Sequence, residues 1–84
     1  MRVISGDHTI NASYDGNIFC VVENEDDNKY YVSLRSLTQN GWMPMAAYDT
    51  KEKAIAVMDE MRKFAIQTYD INDCFYLEDD VTTN

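Results

Sequence analysis

The sequence predicts an α+β domain, an antiparallel sheet of about five strands with one long helix packed on one face and a short C-terminal strand. Three observations predict it. A single long stretch, Asp49 to Tyr69, carries the helical period. Short β-rich runs punctuated by turn dipeptides fill the chain before it, and Cys74-Phe75-Tyr76-Leu77 follows it as one more such run. No linker, repeat or low-complexity tract divides the chain, so residues 1–84 read as a single domain.

Arg2 to Ser5 is apolar enough for a short strand, and Gly6-Asp7 signals a turn. His8 to Tyr14 alternates, with Ile10, Ala12 and Tyr14 opposite Thr9, Asn11 and Ser13, as in a half-buried strand paired back on the first. Asp15-Gly16 is a strong hairpin dipeptide. Ile18 to Val22 is a near-continuous apolar run that suggests a central strand, with Cys20 in the core. Glu23 to Lys29 is a polar hairpin tip, and Gln39-Asn40-Gly41 is another turn. Tyr30 to Leu37 alternates again, placing Tyr30, Val32 and Leu34 on one face and Tyr31, Ser33 and Arg35 on the other. In Trp42 to Tyr48, Pro44 puts the strand at an edge or a bulge.

The helix opens on Asp49, a candidate cap whose partner three residues on is Glu52. Ala54, Val57, Met58, Met61, Phe64 and Ala65 form its apolar stripe. That stripe needs an apolar surface to lie on, and the N-terminal half is the only one large enough. Glu78 to Asn84 reads as a polar tail.

The net charge of −8 argues against nucleic-acid binding and against a membrane surface, because both need a basic footprint. No apolar run approaches membrane-spanning length, and the start turns polar too early for an export segment. The lone His8 has no evident catalytic partner, and Cys20 with Cys74 does not make a zinc set. The acidic run Glu23 to Asp27 lacks the glycine and distal glutamate of a calcium loop. The sequence therefore predicts no enzyme, no metal and no cofactor.

The scarce cations carry the candidate binding chemistry. Arg35 lies on a strand face with Tyr31 four residues earlier, and Arg62 lies on the helix flank with Tyr69 one heptad on. Each pair offers a guanidinium for an anion and a ring for stacking. The alternative is that these arginines make ordinary surface ion pairs and that the rings, with Trp42, serve the core or an interface. Ile55, Arg62 and Tyr69 recur every seven residues beside the apolar stripe, which predicts a homo-oligomer through the helix flank or through the Tyr31, Ser33 and Arg35 face. Equally, Ile55 and Tyr69 would complete a wide monomer core.

Three blocks of sequence resemble a known family. Met1-Arg2-Val3-Ile4-Ser5, followed by Asp7, Thr9 and Ile10, is similar to the opening of a family of small Firmicute phage and prophage proteins. Met45-Ala46-Ala47-Tyr48-Asp49-Thr50-Lys51-Glu52-Lys53-Ala54 and Met58-Asp59-Glu60-Met61-Arg62 resemble later blocks of the same family. His8 departs from its usual Gly, and Asn11-Ala12-Ser13-Tyr14 from its polar–Pro–Tyr–Glu stretch. Among phage proteins the chain looks most similar to the Thoeris anti-defence sponges. That likeness implies a protein of the bacterial host cytoplasm that sequesters a cyclic nucleotide-type immune signal without cleaving it. The rival expectation is an acidic inhibitor that blocks a basic surface of a host defence protein complex.

Overall fold

A computed structural model describes residues 1–38, 40–68, 70 and 72–79. The order of elements is β1 (Arg2–Ile4), β2 (Asn11–Ser13), β3 (Asn17–Asn24), β4 (Lys29–Ser36), β5 (Met43–Tyr48), α1 (Lys51–Gln67) and β6 (Cys74–Tyr76). The α+β class, the single helix and the C-terminal strand are as the sequence predicts. The strands, however, divide between two three-stranded sheets, ordered β2-β1-β6 and β3-β4-β5. The return strand explains the division. β1 pairs antiparallel with β2 on one edge and parallel with β6 on the other, so it has no edge left for β3 to β5.

Turn chemistry sharpens this. Asp15-Gly16 turns the chain between the two sheets and is not a hairpin, since β2 and β3 are not partners. No described glycine has positive φ, as the tightest hairpin turns require. The hairpin between β3 and β4 instead uses Asn28 at φ 55°, a residue that tolerates the left-handed region. Asp26 and Lys29 donate their amides to the side chains of Asn24 and Asp27, at 3.0 Å each.

The β3-β4-β5 sheet is antiparallel throughout. Its register shifts between Val32 and Ser33, where Val32 faces Ala46 and Ser33 faces Pro44, so Met45 is an extra residue in β5. The bulge lets Met45 and Ala46 both enter the core. The carbonyl of Met45 accepts the amide of Gly6 at 2.8 Å. Two residues on, the amide of Ala47 donates to Oδ1 of Asp79 at 2.8 Å. These two bonds join the small sheet to the outer edge of β5. They also correct the expectation of a tail beginning at Glu78, because Asp79 is tied into the fold; residues 80–84 lie outside the described ones.

The helix begins two residues later than Asp49. Thr50 is the cap, and its Oγ1 accepts the Lys53 amide at 3.2 Å. All six predicted stripe residues meet the core, with Ala54 and Met61 fully buried against Val32, Leu34, Met45 and Ala46. Phe64 meets Phe75 edge-on, with ring centroids 5.6 Å apart, so the helix also braces β6. Ile55 is 43% exposed and does not complete the core.

An ideal Cβ on Gly6 would stand 2.9 Å from Oδ1 of Asp79. The flexible carboxylate would move aside and release Ala47. Gly6→Ala is thus expected to cost about 1 kcal/mol, the typical net worth of one hydrogen bond. In an Asp79→Ala background the same change is expected to be nearly neutral, and a double-mutant cycle by urea unfolding measures the coupling.

Candidate binding site

The β3-β4-β5 sheet has two unlike faces. The helix covers the one carrying Val32 and Leu34. The other carries Tyr31, Ser33 and Arg35 from β4, as the alternation predicts, and their cross-strand partners Val22, Cys20 and Ile18 from β3. Cys20 therefore lies on the outer face of β3, not in the core, because its register partner is Ser33. β3 is also an edge strand rather than a central one. Pro44 and Ala47 complete the face from β5.

A cleft of about 530 Å³ opens on this outer face. Its floor is Val22, Tyr31, Ser33, Trp42 and Pro44, and its wall is the hairpin arm with Glu23, Glu25 and Asp26. The Tyr31 hydroxyl donates to Oδ2 of Asp27 across the same hairpin. That bond lowers the Asp27 pKa and raises that of Tyr31, because the neutral phenol is the donor and the ionised carboxylate the acceptor.

Arg35 is flanked by an aromatic ring, but the ring is Trp42. The guanidinium carbon sits 5.0 Å from the Trp42 centroid, a cation–π contact. Continuing the β4–β5 register one step beyond Leu34 and Met43 sets Arg35 opposite Trp42. Tyr31 shares the face but lies about 13 Å along the strand, at roughly 3.3 Å per residue. The Arg35 Nε is buried without a hydrogen-bond partner.

Arg62 is elsewhere. It stands on the helix, on the opposite side of the sheet, and pairs with Asp59 at 2.9 Å in an exposed contact. The two arginines do not converge within one chain. Tyr69, its expected companion, lies outside the described residues. Asp27 and Trp42 are the partners that sequence reasoning did not assign, and a hairpin loop of residues 25–28 between the paired Asn24 and Lys29 is the signal for the first.

The Ser5, Asp7 and Thr9 motif, one of those carrying the family resemblance, has a structural role here. Oδ1 of Asp7 accepts the Thr9 hydroxyl and the Ser5 hydroxyl, each at 2.7 Å, and the Thr9 amide at 3.0 Å. It closes the turn in which His8 takes φ 63° and sets its ring edge-on to Tyr76. Among the described residues no three His, Cys, Asp or Glu side chains group to hold a metal, and no helix is long and apolar enough to cross a membrane. Comparison with protein-family models, with curated proteins and with solved structures gives no match.

The Asp7 turn predicts an acid limb of stability. The Thr9 hydroxyl foremost, then the Ser5 hydroxyl and the Thr9 amide, lower the Asp7 pKa from 3.8 to about 2. The folded value lies below the unfolded one, so the contribution is complete above pH 3.8 and is lost as the pH falls towards 2. Urea midpoints measured through that window are expected to fall more steeply for the native chain than for Asp7→Asn.

Proposed function

We propose that this protein is a non-catalytic binding module that acts by occupancy, and that its working surface is the outer face of the β3-β4-β5 sheet. The observation that carries this reading is the cleft there: an apolar and aromatic floor beneath an arm of Glu23, Glu25 and Asp26. In a chain of net charge −8 such a surface attracts a basic partner and repels a free phosphate. The reading favoured is thus an inhibitor that docks on a basic surface of another protein. The phage resemblance supplies its setting, a host defence complex in the bacterial cytoplasm.

A second reading has its own observation. Arg35 lies on Trp42 with Nε unpartnered, a cation beside a stacking ring on a chain with few cations. That shelf would receive the phosphate and base of a cyclic nucleotide-type signal, which the protein would sequester.

One experiment separates the two. Binding of a Lys/Arg-rich peptide is measured calorimetrically at low and high salt, beside thermal-shift measurements with cyclic ADP-ribose isomers and cyclic di- and trinucleotides. The first reading expects salt-sensitive peptide binding that weakens about tenfold when Glu23, Glu25 and Asp26 are replaced by amides, at up to 1 kcal/mol per exposed charge. It also expects Arg35→Ala to leave peptide binding unchanged and the nucleotides to give no shift. A nucleotide-induced shift abolished by Arg35→Ala, without peptide binding, would reverse the assignment.

A further inference from the structure

β3 is the outermost strand of its sheet and eight residues long. No described strand pairs with its outer edge. The other edges are short or closed: β2 and β6 have three residues each, and β5 is capped by Gly6 and Asp79. An open strand edge presents a row of unpaired amides and carbonyls, which proteins ordinarily blunt with Pro, Lys or an inward charge. The middle of β3 has none of these. It reads Ile18-Phe19-Cys20-Val21-Val22, every residue half-buried.

We propose that β3 pairs antiparallel with β3 of a second copy of the chain, about a two-fold axis at Cys20, so that two sheets become one of six strands. Symmetry and charge select this register. A two-fold axis normal to the sheet sets residues of the same face opposite each other, so it must pass through a residue pair. Centred on Cys20, it places Ile18 against Val22, Phe19 against Val21, and Asn17 against Glu23. Centred on Phe19 it would set the polar Asn17 against the apolar Val21. Centred on Val21 it would set the Glu23 carboxylate against the Phe19 ring. Of these three registers, only the one centred on Cys20 matches apolar with apolar within Asn17–Asn24 and sets no carboxylate there against a ring.

The pairing has two consequences. The outer faces of the two copies become one surface, with Ile18, Cys20 and Val22 of each chain at its centre. Because each chain carries −8, association strengthens as salt screens the repulsion, the opposite of the salt dependence expected for a basic partner. The pairing does not depend on the proposed function, and the two tests fail separately.

The experiment uses the full chain with Cys74→Ser, leaving Cys20 as the one thiol. Cβ atoms directly opposite across an antiparallel pair lie about 4.5–5.5 Å apart, close to the separation of about 3.5–4.5 Å that a disulfide spans. Mild copper–phenanthroline oxidation is expected to give a Cys20-linked dimer, and light scattering at micromolar concentration a dimer mass that rises with salt. Val22→Lys, on the outer face of the edge, is expected to weaken association about tenfold, equivalent to 1.4 kcal/mol, while circular dichroism stays unchanged. A monomer mass at every salt concentration without the Cys20 cross-link would overturn the proposal. So would a dimer indifferent to Val22→Lys that yields no cross-link. Amides of β3 that become protected from exchange only on adding the Lys/Arg-rich peptide would assign the edge to a foreign strand and equally overturn it.

Discussion

Two hydrogen bonds at the outer edge of β5 hold the architecture together. The Gly6 amide meets the Met45 carbonyl, and the Asp79 carboxylate meets the Ala47 amide. Strands of three residues are too short to make a stable sheet alone, and both β1 and β6 are of that length. Seated against β5, they share one core with the larger sheet. Val3 and Leu77 then bury beside Val32, Met45 and Met61. The β-bulge at Met45 enables this, because it turns two consecutive residues of β5 inward while the strand's edge stays available to Gly6.

The asymmetry of the larger sheet follows from that joint. The helix, β1 and β6 all contribute to the core on one side, and Phe64 against Phe75 ties helix to return strand. The opposite face carries Tyr31, Ser33 and Arg35. There Tyr31 is held by Asp27, Arg35 lies over Trp42, and the acidic hairpin arm overlooks the apolar floor.

Period and alternation made most of the fold legible. The stripe from Ala54 to Ala65 packs on the core as its spacing indicates, and Val32 and Leu34 oppose Tyr31 and Arg35 as alternation requires. What period cannot report is which strand edges meet. β1 takes β6 as a parallel neighbour from the far end of the chain, and that choice splits the expected sheet. Which face the helix covers likewise decides the place of Cys20, which shares the uncovered face with Ser33; an apolar run does not report which of its two faces is covered. The site was half legible for the same reason. Tyr31 and Arg35 share a face by parity alone, whereas the Trp42 contact requires the β4–β5 register after a bulge. Arg62 belongs to another side of the molecule because the helix that carries it packs inward.

The most direct measurement is amide hydrogen exchange at Gly6 and Ala47, the two donors of the joint. Both amides are expected to exchange slowly beside the core amide of Val32, and in Asp79→Ala the protection of Ala47 is expected to fall while that of Val32 holds. Exchange of Gly6 and Ala47 at unprotected rates in the native chain would contradict the account, because the small sheet would then not be anchored to β5.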